Sequence, residues 1–433
     1  MKIKKLELRN YKRFAGKHIV EFEDTPIAVI FGYNGTGKTS ILDAVAIILE
    51  VFTSKMIGIE KEIAFEFEDV TINQEEALIS GVFQSHYEAE YSSATISIER
   101  NIASPVTFYD KTTDSLLNQL KKRFWQEQNE SSPVFIYYRT NRHVVGKGVQ
   151  DYILTNKGFN RKEAYNNAFG VNIDYNQILI WYIQQINIQN NEVVKRQDLT
   201  YELPSLKAIT DAINIFLSSL EGCSLGNVTL DSNSYFNNNL ELFLYKDQVK
   251  LAFHQLSAGE KMVIGIVLDI AYRMSIANTH LENPLESKGI ILIDEIELHL
   301  HPKWQSSVLG ALSATFPNIQ FIATTHSPLV INQLKGEQLI LLDDQRIVQG
   351  KSIHNTYGRD INSILEDFMG ANERPAEIKK LIEEIEELLD EEQPNIQLAN
   401  NKLNVLKSLV GPNDYEIVKL EALIALEEDE EDY

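Results

Sequence analysis

Residues 25–40 read TPIAVIFGYNGTGKTS. An almost wholly apolar run enters a loop with glycine at 32, 35 and 37. Lys-Thr-Ser then opens an apolar stripe of Ile41, Leu42, Val45, Ile48 and Leu49 at helical spacing. Strand, glycine loop and helix in that order make the phosphate-loop pattern GxxxxGK[ST]. The loop from Gly32 through Asn34, Gly35, Thr36 and Gly37 can turn successive backbone N–H groups toward a phosphate chain. Lys38 can neutralise the outer phosphates, and Thr39, followed by Ser40, can offer a hydroxyl to Mg²⁺ at a helix N-terminus. A chance glycine turn would satisfy the loop but not the strand before it and the helix after it.

Three more stretches carry chemistry. IILIDE (290–295) is a buried strand ending in two carboxylates: Asp294 suits the Mg²⁺ shell, and Glu295 suits orienting or deprotonating a water. LSAGEK (256–261) reads first as a helix start, with Ser257 as N-cap and Glu260 at the capping-box position. TTHS (324–327) places His326 just after a strand. ELHLHP (297–302) holds His299 and His301, but two histidines without further carboxylate or thiol ligands make a poor metal site. Taken together, FGYNGTGKT, LSAGEK, IILIDE and TTHS resemble the ABC-type ATPases, specifically the RecF/SMC-like heads. That resemblance implies ATP and Mg²⁺ as cofactors and a head-to-head dimer or higher homo-oligomer. It implies that Ser257 and Gly259 complete the nucleotide site of a second copy, that His326 contacts the γ-phosphate, and that ELHLHP lies at the dimer seam. Gln84, in GVFQSH, is the expected metal-contacting Q-loop glutamine.

Composition narrows the class. The chain has 433 residues, 44% hydrophobic and 24% charged, which suits a globular protein of two or three domains. Its apolar runs are too short to span a bilayer. MKIKKLELRN alternates like a strand and has no signal-peptide core. The single Cys223 fits a reducing, cytoplasmic setting. Net charge is −22, and residues 371–433 hold 18 Asp/Glu against 6 Lys/Arg. Residues 121–162 run the other way, with nine Lys/Arg against three Asp/Glu, either a stripe for nucleic acid or a solvated face.

The expected fold is α/β: an ABC-type P-loop ATPase head with an antiparallel β lobe, an inserted helical lobe and a helical C-terminal extension. Its segments are 1–160 (N-terminal ATPase lobe), 161–222 (helical insertion), 223–355 (C-terminal ATPase lobe) and 356–433 (acidic helical extension). Residues 161–221 lack sustained heptads, which excludes SMC coiled-coil arms. OLD-type nucleases append a TOPRIM domain after the TTHS strand. Here the remaining hundred-odd residues are mostly helical and lack that domain's acidic strand ends. The tail from YGRDINSILEDFMG onward resembles the ATPase subunits of Septu-type and retron-associated antiphage systems. That likeness implies a slow ATPase controlling a separate HNH-type nuclease and cutting nothing itself. A RecF-like ATPase that clamps DNA is the alternative, and DNA or another nucleic acid is a further partner in either case. A transporter ATPase ranks last, because LSAGE departs from LSGGQ. The helices after 370 either cap the core or meet a partner.

Overall fold

The computed structural model describes residues 1–59, 65–87, 90–101, 105–109, 111–126, 131–146, 159–233, 239–344, 346–353, 356–371, 374–390 and 394–431. The alternating N-terminus forms β1 (Lys2–Tyr11) and β2 (Phe14–Glu21), and the apolar run forms β3 (Ile27–Gly32), which feeds α1 (Lys38–Ile57). Then follow β4 (Glu76–Tyr87), β5 (Glu90–Asn101), β6 (Pro105–Tyr109), α2 (Lys111–Trp125), β7 (Val134–Tyr138), β8 (His143–Val145), β9 (Asn172–Asp174), α3 (Tyr175–Arg196) and α4 (Pro204–Ser219). The chain continues through β10 (Leu225–Asn233), β11 (Asn239–Lys246), β12 (Val249–Ala252), α5 (Ala258–Ala277), β13 (Gly289–Ile293), α6 (Pro302–Gln305), α7 (Val308–Thr315), β14 (Ile319–Thr324), α8 (Pro328–Ile331), β15 (Leu339–Asp343) and β16 (Arg346–Gln349). Four helices end it: α9 (Ile361–Met369), α10 (Ala376–Leu389), α11 (Ile396–Val410) and α12 (Tyr415–Glu431).

Two large sheets organise these elements. One is antiparallel, in the order β2-β1-β4-β5-β6; the other runs β16-β15-β3-β14-β13-β7 and is parallel except for the edge hairpin strand β16. Every residue of β3, β7, β13 and β14 is buried. That is why β3, β7 and β13 read as apolar runs rather than as alternation, while β14 also buries Gln320, whose amide bonds the Ile3 backbone. Their register aligns the exits: Ile293 lies opposite Tyr138 on one side and Ala323 on the other, and Thr324 lies opposite Ile30. Four chain segments therefore leave the sheet at one carboxyl edge, where ligands of parallel sheets bind. Helix α5 is buried from Gly259 to Ala277 save Lys261, so it is an interior element rather than an amphipathic surface helix.

Two compact units emerge, Met1–Ile364 and Leu365–Tyr433. Where the sequence suggested an inserted helical lobe, α4 buries Leu206, Ile209, Ile213 and Phe216 and packs on α5 and α7. The segment is thus integral to the first unit, because its apolar face is too wide to leave exposed. In the second unit α10, α11 and α12 bury their stripes in one another, with Ile385, Leu389, Leu403, Leu406, Ile417, Leu420 and Ile424 as the shared core. Helix α12 continues past Leu426 to Glu431, since glutamate is a good helix former; residues 432–433 lie outside the described residues.

Candidate nucleotide site

The glycine loop joins β3 to α1 at the carboxyl edge. Gly35 has φ 75° and Gly37 φ 100°, the left-handed region that favours glycine. A Cβ on Gly37 would also stand 2.8 Å from the Phe14 ring and 2.9 Å from Arg13 Cδ. The β1–β2 turn therefore braces the loop from outside. Inside it, the Lys38 Nζ donates to the carbonyls of Gly32 (2.9 Å) and Tyr33 (2.8 Å). The Thr36 hydroxyl donates to Tyr33 O at 2.9 Å. Among the described residues, the Lys38 ammonium is held by the loop it will serve.

Asp294 leaves β13 fully buried, and its carboxylate accepts from three threonine hydroxyls on three elements: Thr39 (3.0 Å), Thr140 (2.6 Å) and Thr324 (2.5 Å). Thr39 and Asp294 provide a hydroxyl and a carboxylate in contact, the hard oxygen set that Mg²⁺ accepts alongside substrate phosphates. The donor set fits that ion, which would neutralise charge developing on the phosphates. Next in the chain, Glu295 has φ 46°, and its N–H donates to the Thr324 hydroxyl (2.8 Å). Burial, then the neighbouring Asp294 and Glu297, raise the Glu295 carboxyl above its ordinary range. Glu297 accepts from the His326 N–H (2.5 Å) and the Thr325 hydroxyl (2.8 Å), so it fixes the turn that carries His326. Burial, and then Lys38, lower the His326 imidazole below its ordinary value. The ring is therefore neutral near pH 7.

Arg142 lies beneath this cluster. Its guanidinium donates to Asp294 O (2.5 Å), Glu295 O (2.9 Å) and Arg139 O (3.2 Å) while 3% exposed. Asp43 on α1 gathers Lys12 (2.7 Å), Arg139 (2.9 Å) and the Tyr137 hydroxyl (3.2 Å). Neither Arg142 nor Thr140, Thr324 and Glu297 was marked by spacing. The RTNR that follows β7 was the available signal, visible only as part of a basic stretch.

The structure brings Lys38, Thr39, Asp294, Glu295 and His326 to one edge and leaves three expected residues elsewhere. Ser257 caps α5, accepting from Glu260 N (3.3 Å) and donating its own N–H to Glu260 Oε2 (2.8 Å). Gly259 lies so close to the loop after β13 that a Cβ would stand 2.2 Å from His299 O. Among the described residues, no hydrogen bond joins Ser257 or Gly259 to residues 34–40 of their own chain. Gln84 is a correction. It sits opposite Lys2 on β1 and lines a cavity with Lys288, Pro317 and Asn318, the residues just before β13 and β14. That is the amino edge of the parallel sheet, about 15 Å from the carboxyl edge at ~3.3 Å per residue, so Gln84 does not reach the metal position.

Burial draws the Lys38 ammonium from 10.5 down to about 8, against the pull of Asp294, Glu295 and Glu297. Bound phosphates favour the charged form, so binding takes up a proton wherever free Lys38 is partly neutral. ATP affinity is therefore expected to fall as pH rises through about 8, with proton uptake visible by calorimetry in buffers of different ionisation heat. Lys38→Ala is expected to weaken binding about a hundredfold or more and to flatten that dependence. Binding by the wild type that ignores pH across this range would show that Lys38 is not at the phosphates.

These features define a class, the P-loop ATPases of the ABC type. The chain belongs to the family described as "AAA domain, putative AbiEii toxin, Type IV TA system", whose profile matches residues 27–332. It is similar to "Retron Vc95 probable ATPase" of Vibrio cholerae serotype O1 biovar El Tor, 28% identical over 90% of this chain and 84% of that protein. It is similar to "Retron Ec83 probable ATPase" of Escherichia coli, 27% identical over 97% of this chain and 86% of the relative. It is also similar to "Septu protein PtuA" of Bacillus thuringiensis, 30% identical over 52% of this chain and 56% of that one. Among solved structures, the SMC head domain from Thermotoga maritima is 17% identical with a TM-score of 0.42, covering 81% of this chain and all of that one. The fold assignment rests on the strand order and motif placement above. No described helix is long and apolar enough to cross a membrane.

Proposed function

We propose that this ATPase is a subunit of an antiphage defence complex in which ATP binding drives head-to-head assembly and thereby controls a partner nuclease of the HNH type. The observation that carries this reading is the division of the site. Lys38, Thr39, Asp294, Glu295 and His326 converge within one chain, while Ser257 and Gly259 are tied to the helix cap and the His299 carbonyl. A second copy would supply the missing signature face across the γ-phosphate. In this reading Asn34 to Ser40 hold the phosphates, Thr39 and Asp294 hold Mg²⁺, Glu295 activates water and His326 senses the γ-phosphate. The names of the retron and Septu relatives support the defence role.

The second unit offers the partner surface. Opposite its buried residues, α12 exposes Tyr415, Val418 and Leu426, and α11 exposes Val405 and Leu409. The test is coexpression with the neighbouring reading frame. An ATP-dependent rise in mass, a copurifying nuclease and phage protection lost with Lys38→Ala are expected. A chain that stays monomeric with ATP and Mg²⁺ and copurifies with nothing would overturn the proposal. The purified chain alone is expected to leave DNA and RNA uncut.

A further inference from the structure

The basic stretch 121–162 divides in the fold. Arg139 and Arg142 go to the nucleotide site, as described above. Of the others, Lys121, Lys122, Arg161 and Lys162 gather around an exposed indole, and Lys147 and Lys157 lie outside the described residues. Helix α2 buries Leu116, Leu117, Leu120 and Phe124, so the face carrying Lys121, Lys122 and Trp125 turns outward. Trp125 is 46% exposed. The turn at 161–165 faces it, placing Lys162 Nζ 4.4 Å from the Trp125 ring centre and the Arg161 guanidinium 5.3 Å from that of Phe124. Arg161 is itself anchored, donating to Ala277 O (2.8 Å) and the Ser132 hydroxyl (2.7 Å).

Trp125 forms the wall between two open recesses. One, of about 420 Å³, runs past Asn160, Arg161 and Lys162; the other, of about 510 Å³, past Asn118, Lys121, Lys122 and Gln126. Among the described residues no carboxylate lines either recess. In a chain of net charge −22, this is a local reversal of sign centred on an aromatic ring. The ring edge lies near Gly58, where a Cβ would stand 3.7 Å from Trp125 Nε1. Gly58 caps the far end of α1, one twenty-residue helix, about 30 Å, from the phosphate loop.

We propose that this patch binds single-stranded nucleic acid, with a base stacked at Trp125 and the flanking phosphates on Lys121 to one side and Lys162 to the other. Cations alone would suit any polyanion. The exposed indole between two cationic recesses suits a ligand that alternates anionic groups with flat rings. Duplex DNA keeps its bases stacked inside and cannot use the ring. Asn118 and Gln126 in one recess and the Asn160 amide in the other provide polar groups for base edges.

The test is fluorescence anisotropy of a labelled oligothymidylate and a labelled oligouridylate, each about twenty nucleotides, with a blunt duplex of equal length and heparin as competitors. Salt is varied from about 50 to about 200 mM. The wild type is expected to bind the single strands, to prefer them to duplex, and to lose affinity steeply with salt. Trp125→Ala is expected to weaken binding about tenfold or more, and Trp125→Phe about threefold or less, because the ring is kept. Lys121→Glu with Lys162→Glu is expected to reduce the salt slope by about one to two. Intrinsic tryptophan emission is expected to be quenched by the oligonucleotide in the wild type and not in Trp125→Phe, since Trp181 is buried and Trp304, half-buried on α6, lines neither recess. ATP turnover of each variant without nucleic acid is expected to match wild type, which separates loss of binding from loss of fold. Equal binding of duplex and single strand with no effect of Trp125→Ala, or displacement by heparin with no quenching, would overturn the proposal and leave only a basic face. No binding at low salt would overturn it outright. Stronger binding of the uridylate would identify RNA as the ligand, and of the thymidylate, DNA.

Discussion

Glu295→Gln is expected to lower ATP turnover by about 10²–10³-fold while leaving ATP binding intact. The expectation follows from what surrounds this carboxylate. Burial, with Asp294 and Glu297 nearby, raises its pKa and so makes it a stronger base than an exposed glutamate. Its backbone is held on both sides: the N–H by Thr324 and the carbonyl by Arg142. Glutamine keeps the shape and removes the proton acceptor, so the bound state should accumulate. Phosphate release under multiple and single turnover should both slow, a fluorescent ATP analogue should bind as before, and the mass of the ATP-bound species should rise. The sign of the pH effect is fixed as well. A raised Glu295 pKa means that wild-type turnover falls as pH drops through that raised value, from above the ordinary carboxylate range; the variant should lose this limb. Turnover within about twofold of wild type would move the role of base to another group, and Glu297, bonded to Thr325 and His326, would be next to test.

Much of this site was legible as contiguous text. Residues 32–40 and 290–295 each carry several functional groups within one strand-to-loop transition, so spacing alone locates them. The threonines around Asp294 were not legible, because Thr39, Thr140 and Thr324 belong to three segments. They meet only through the parallel register of β7, β13, β14 and β3. Gln84 failed for the same reason. Antiparallel pairing of β4 with β1 carries it to the beginning of β1, and with it to the amino edge of the neighbouring sheet. A glutamine in a strand says nothing of which end that strand approaches. In the second unit the stripes of α10 to α12 were plain at helical spacing, but a stripe does not name what covers it. Here the three helices cover one another.

Arg142→Ala is expected to lower ATP turnover about a hundredfold and to lower stability by about 1–3 kcal/mol, the cost of leaving buried carbonyls without a donor. One planar group serves the consecutive carbonyls of Asp294 and Glu295 and ties them to Arg139 O at the end of β7. It thereby holds the left-handed turn at Glu295, whose φ of 46° is uncommon for a residue with a side chain. Burial lowers the Arg142 pKa, while Asp294, Glu297 and Glu295 oppose the shift. Placing a cation there costs desolvation energy, which the three carbonyls and the carboxylate cluster offset. Lysine at this position would keep the charge but present a point donor without the fork that spans two carbonyls. Arg142→Lys is therefore expected to recover most of the thermal stability and little of the turnover. The KM for ATP should stay close to wild type in both variants, because the residue holds Asp294 and Glu295 by their backbone and not the phosphates. Melting temperature, kcat and KM measured together decide the matter. Full recovery of kcat in Arg142→Lys would show that charge alone suffices, and a rise in KM with kcat unchanged would place Arg142 in nucleotide binding instead of in positioning Glu295.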